Sequence, residues 1–270
     1  MEVDHEQASV TETTAASTVL DGKTVAIIGY GNLGAAELHY TSDLDLVFLH
    51  AEGAAPLRPV QRMINSMQLP LQGGKLYEID TRLRPNGNAG MLVSSIDSFD
   101  DYQRRHAWIW EHQALLRARF INGSEALRNR FDSIRRDVLV QPRDPAEVAE
   151  ALADMRRRQI TQRRESEQKR ILGDIQFICE YEMLIHLHQH PDLTSVRGTA
   201  QQLQALRQAG ALAANVADTL AGIFDRSAAI RDRRFLERDF DPAAVATSPA
   251  TDDTEQIAAI WRERFGTGAH

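Results

Sequence analysis

Two acidic groups stand out by their spacing: Asp43 and Asp45, separated by one leucine, and Glu78 and Asp80, followed by Arg82 and Arg84. On an extended strand residues two apart share a face, so Asp43 and Asp45 are predicted to point together, away from Leu44 and Leu46. The same parity in YEIDTRLR sets Glu78, Asp80, Arg82 and Arg84 on one face and Tyr77, Ile79, Thr81 and Leu83 on the other. Carboxylates aimed at one point repel unless cations stand between them. Magnesium meets that need with oxygen ligands, commonly one or two carboxylates plus substrate phosphates. Asp80 then supplies a third carboxylate, and the two guanidinium groups suit a triphosphate. A lone Asp-x-Asp reads more simply as a solvated strand edge. Joined to Asp80 and a glycine turn, it points to a two-metal phosphoryl or nucleotidyl transfer centre. One ion would lower the pKa of an attacking hydroxyl and the other would stabilise the departing pyrophosphate.

The glycine turn, Gly29, Gly31 and Gly34, invites a second reading as a dinucleotide fingerprint. That fingerprint opens a helix that crosses a parallel sheet, and such a crossover takes at least about 10–12 residues. Between Gly34 and Ser42 there is barely room. Its acidic residue also belongs about 20 residues on, at the far end of the second strand, whereas Asp43 and Asp45 precede the apolar run LVFL. Delivery of carboxylates is the better reading.

The elements that must position these groups follow from the pattern. Strands are predicted at Thr24 to Ile28, Leu44 to His50 and about Lys75 to Arg84, and a helix from Val60 to about Leu69. From Ser95 onward the pattern is helical almost without interruption, with Ser95 capping a helix that starts at Ile96. QPRDP at Gln141 to Pro145 is the best candidate boundary. Beyond it a charged helix runs from about Pro145 to Arg170, a more apolar one from about Asp174 to His190, and others from about Thr199 to Glu237, before a Pro, Ala and Thr loop and a short final helix. The fold class is therefore α+β: a small mixed-sheet domain over residues 22–140, then an all-α helical bundle over 145–270, with residues 1–21 read as a disordered tail.

The 270 residues are 43% hydrophobic, enough for a real core. The formal net charge of -7 and a pI of about 5.7 make nucleic acid an unlikely partner. Cys179 is the one cysteine, which excludes an internal disulfide and fits a reducing, cytoplasmic setting. No apolar run approaches the roughly 20 residues that span a bilayer. His186 and His190 have a spacing zinc could use, but no third ligand is evident. Arg156, Arg157, Arg158, Arg163, Arg164, Lys169 and Arg170 read as a solvated helix face. Trp108, Trp110, Glu111, His112, Arg117 and Arg119 fall in one helical stretch, expected to pack on the sheet, with the two arginines as candidate substrate contacts.

GYGNLGAAELHYTSDLDLVFL, YEIDTRLRPNGNAGMLVSS and AWIWEHQALLRARF together resemble the glutamine synthetase adenylyltransferase family, whose fold is similar to that of the DNA polymerase β nucleotidyltransferase superfamily. Family members carry two such halves, one attaching AMP to a tyrosine of glutamine synthetase and one removing it by phosphorolysis. The wording here resembles the C-terminal, adenylylating half. The resemblance implies that Asp43, Asp45 and Asp80 are the catalytic carboxylates and bind the metal, two Mg2+ ions. It further implies that Gly31 and Gly34 line the triphosphate of ATP, with Ser42 nearby and Arg82 and Arg84 as phosphate contacts. The implied partners are glutamine synthetase and a PII-type nitrogen-signalling protein. Three positions depart from the family pattern. Asn32 stands where Lys is usual, Ala35 follows Gly34 in place of a second glycine, and RILGDIQF carries Gln176 where the family has Glu and lacks its glycine pair. The departures keep a catalytically silent copy open as an alternative, beside the deadenylylating activity.

Overall fold

The computed structural model describes residues 25–51, 53, 55–69, 77–162, 167–237 and 251–266. The tail read at 1–21, the ends of two predicted strands at Thr24 and Lys75, Arg163 and Arg164, and the loop after Asp241 lie outside them. The described chain forms two compact units, the first made of residues up to Gly34, Thr41–Ala107 and Ala118–Ile134, the second of Ala35–Tyr40, Trp108–Arg117 and everything from Arg135.

The first unit is built on a mixed five-stranded sheet: β1 (Val25–Gly29), β2 (Leu44–His50), β3 (Ile79–Asp80), β4 (Val93–Ser95) and β5 (Arg119–Asn122). β1 lies between β2 and β5 and runs antiparallel to both. β3 and β4 share the opposite edge of β2, both parallel to it, one beside Leu44 and Asp45 and the other beside Phe48 to His50. Strand parity makes the core: Val25, Ile27, Leu46, Phe48 and Val93 join Val60 and Met63 of α2 (Leu57–Met67), with Leu33, Leu44 and Ile79 packed against them. The alternate residues Ala26, Ile28, Val47 and Leu49 are just as buried, so both faces are covered. Ser95 caps α3 (Ile96–Arg105) as expected, its hydroxyl accepting from the Ser98 amide.

The antiparallel pairing of β1 with β2 removes the dinucleotide reading, because no crossover helix joins them. Between them stands only α1 (Gly31–Ala35) and the segment that follows it.

The second unit is helical: α4 (Ile109–Leu116), the end of α5 (Glu125–Leu139), α6 (Pro145–Gln162), α7 (Glu167–His186), α8 (Thr199–Gln208), α9 (Ala214–Glu237) and α10 (Thr251–Phe265). Its interior is more polar than a leucine core. Arg135 is buried and donates to the carbonyls of Leu115, Leu116 and Thr194. Arg156, expected on a solvated face, is instead fully buried and bonded to Asp174 at 2.7 Å. Gly173 makes room for it, since a Cβ there would meet its guanidinium at 2.7 Å. Trp108, expected to pack, is 68% exposed, while its backbone amide is capped by Glu111. Among the described residues no helix is long and apolar enough to cross a membrane.

Candidate active site

The three predicted carboxylates lie in the first unit and gather at one end of the sheet. β2 begins at Leu44, so Asp43 is an exposed residue just before the strand, one residue short of it. Asp45 is half-buried and is the register partner of Asp80 on the parallel neighbour β3, which puts these two side chains next to each other on one face. The Leu44 amide donates to the Glu78 carbonyl at 2.8 Å and fixes that register.

Gly31 closes the other side. Its φ of +50 is in the left-handed region, and a Cβ there would stand 2.2 Å from the Asp45 carboxylate. Only glycine lets the backbone approach Asp45 so closely. The Tyr30 amide donates to the Asp45 carbonyl at 2.9 Å, and the Asn32 side chain donates to the buried hydroxyl of Ser42 at 3.2 Å. The glycine turn is thereby tied to the start of β2 at two points. Gly34 bonds back to the Tyr30 carbonyl, and Arg119 braces the turn from β5, donating to the carbonyls of Gly34 at 2.9 Å and Leu33 at 2.8 Å.

The strand expected to reach Arg84 ends at Asp80, and the chain turns, so strand parity does not govern Arg82 and Arg84. Arg82 folds back instead. Its amide donates to Asp80 Oδ1 at 2.8 Å, and its guanidinium grips both oxygens, with Nε 2.8 Å from Oδ2 and 3.0 Å from Oδ1. The hydrogen bonds and charge of Asp80, helped by the fields of Asp43 and Asp45, hold the Arg82 pKa above its ordinary value. The guanidinium therefore sits in the combined field of all three carboxylates. Arg84 braces the loop, donating to the carbonyls of Thr81 at 2.6 Å and Gly90 at 3.2 Å.

A divalent ion suits this site in kind. The donors are all carboxylate oxygens, two of them on residues side by side, and the Gly31 backbone packs directly against one of them. Among the described residues no three acidic, His or Cys side chains have closed to ion-binding distance.

The sequence of this chain is similar to those of known proteins. A family model described as glutamate-ammonia ligase adenylyltransferase matches residues 2–134. A bifunctional glutamine synthetase adenylyltransferase/adenylyl-removing enzyme of Nitrosococcus oceani is 40% identical over 235 residues, covering 78% of this chain. Its counterpart in Methylococcus capsulatus is 36% identical over 272 residues, covering 92%. The chain belongs to the glutamate-ammonia ligase adenylyltransferase family. It spans about a quarter of the length of these relatives, 24% of the first and 28% of the second.

Within that family frame the departures find structural uses. Asn32 holds Ser42, and Gln176 on α7 donates to the buried Glu180 at 2.8 Å. The sequence reading missed β4 and β5. It therefore placed Arg119 in a helix as a substrate contact, when it is the brace of the glycine turn. The alternation in RFIN is the one signal that could have revealed β5. Arg117, the other candidate contact, is buried and paired with Glu37 at 2.7 Å.

Proposed function

We propose that this chain carries the adenylylating activity of its family, moving AMP from ATP to a tyrosine of glutamine synthetase, with residues 22–140 as the catalytic domain and 145–270 as the helical one. The observation that carries the reading is the side-by-side placement of Asp45 and Asp80, with the Gly31 backbone packed so closely on Asp45 that no side chain fits there. Asp43, Asp45 and Asp80 would hold Mg2+. When bound, the ions would polarise the α-phosphate and neutralise charge on the leaving pyrophosphate.

The protein's own residues do the rest. Gly31 and Gly34 bring the backbone to the triphosphate, with Ser42 fixed beside them, and Arg82 and Arg84 on the loop after β3 face its charge. Asp80 takes the proton of the tyrosine hydroxyl as its oxygen bonds to the α-phosphorus and the bond to the β-phosphate oxygen breaks. A PII-type protein as a second partner, and as the alternative activity phosphorolysis of adenylyl-tyrosine, in which phosphate takes the AMP to give ADP and frees the tyrosine, follow from the family resemblance alone. Asn32 and Gln176 are accommodated by hydrogen bonds within the fold, and a catalytically silent copy stays the alternative that the labelling experiment decides.

The test incubates the chain with Mg2+, ATP labelled on the α-phosphate and unmodified glutamine synthetase, beside Asp45→Asn. Label on the acceptor that disappears in the variant is the expected result. Equal labelling by both sinks the proposal.

A further inference from the structure

Among the described residues, Arg82 grips Asp80 and lies in the fields of Asp43 and Asp45. Its fork covers both oxygens of Asp80, and its side chain is 59% exposed, against 15% for Asp80. An exposed guanidinium on a loop can swing away, whereas a carboxylate pinned in register on β3 cannot follow it. The same two oxygens are the ones a divalent ion would need.

We propose that Arg82 is a resident counter-cation of the carboxylate centre, closed on Asp80 in the absence of divalent ions and displaced by them to become a ligand of the nucleotide phosphates. The inference rests on the assignment of Asp43, Asp45 and Asp80 as ion ligands. Its physical content is an exchange. Carboxylates that would repel one another are partly neutralised by the guanidinium paired with Asp80. An arriving ion replaces that charge, and the freed fork meets a phosphate, for which its planar geometry is equally suited. Ion and nucleotide then bind cooperatively, because releasing Arg82 is a cost shared between them.

The exchange predicts opposite signs for two affinities, and neither readout needs turnover. Mn2+ binding, followed by the loss of its free EPR signal, is measured without nucleotide on the wild-type chain, Arg82→Ala, Arg82→Lys and Asp45→Asn. Binding of ATP at saturating Mg2+ is measured by calorimetry on the same proteins. Arg82→Ala is expected to bind Mn2+ about fivefold more tightly, the limit for an exposed ion pair, and to bind ATP about tenfold or more weakly. Arg82→Lys keeps the charge without the fork and should fall between. Equal Mn2+ affinity in wild type and Arg82→Ala overturns the inference, as does weaker binding in the variant. Loss of Mn2+ binding in Asp45→Asn shows that the ion site itself stands even where the exchange fails. If Asp45→Asn binds like wild type, the assignment of the ligands falls and takes the inference with it.

Discussion

Gln176 donates its side-chain amide to the buried carboxylate of Glu180 one helical turn away, at 2.8 Å, while Gln113 donates to the other oxygen at 2.6 Å. A glutamate at position 176 could only accept, so two carboxylates would meet in a buried pocket. Gln176→Glu should lower stability by about 1–3 kcal/mol at neutral pH, and by less in acid, where one carboxyl takes a proton. Urea unfolding at two pH values measures this; an unchanged midpoint at neutral pH would contradict it.

Glu180 itself makes stability depend on pH. Burial is the first cause of its raised pKa, and the favourable field of Arg117 and the two amides do not cancel it. A carboxyl whose pKa is raised on folding contributes stability that is complete below the ordinary glutamate value and lost as pH climbs through the raised one. Glu180→Gln does not titrate. Wild type should therefore lose melting temperature relative to that variant as pH rises above the ordinary glutamate range, and parallel profiles would refute the assignment.

Arg117 is buried between Glu37, at 2.7 Å, and the Thr199 hydroxyl, at 2.9 Å, and Glu37 also accepts from the Thr199 amide at the start of α8. Removing one partner strands the other charge, so Arg117→Ala should cost about 3–5 kcal/mol. The double variant Glu37→Gln, Arg117→Met should cost much less than the sum of the two single changes. Additive losses in denaturant titrations would show that the pair is not coupled.

Gly31→Ala would put a methyl group on top of the Asp45 carboxylate. Label transfer to glutamine synthetase should fall by about 100-fold or more, because displacing a catalytic group by about an ångström has that effect. Gly53→Ala, at a φ of +104 with nothing within 4 Å of the new carbon, imposes the backbone strain alone and should leave transfer intact. Equal loss in both variants would mean strain, not the carboxylate, is responsible.

Much of the catalytic end was legible because its signals are local. β1 and β2 are long apolar runs, Ser95 is a good cap, and Asp45 and Asp80 sit on strands whose register follows from burial of Leu44 and Ile79. What escaped depends on distant partners. β4 and β5 have three and four residues, too few to establish a period, and exist because β2 and β1 offer them unpaired edges. Arg156 looked like surface because its charge said so, while Asp174 and Gly173 on another helix provide its buried niche. The posture of Arg82 follows from a turn after Asp80 that parity could not foresee.

The place of β5 beside β1 has a consequence for the chain as it is made. Among the described strands β1 is synthesised first, yet its second neighbour, Arg119–Asn122, emerges only after β2, β3 and β4. Until then β1 exposes a row of open amides and carbonyls to any strand in the vicinity, the usual invitation to aggregation. Closing the sheet over so long a separation is also slow. A nascent chain stalled before Arg119, or a shortened version that omits β5, would lack both the partner of β1 and the brace on the glycine turn. The second edge of β1 thus stays open until Asn122 has left the ribosome.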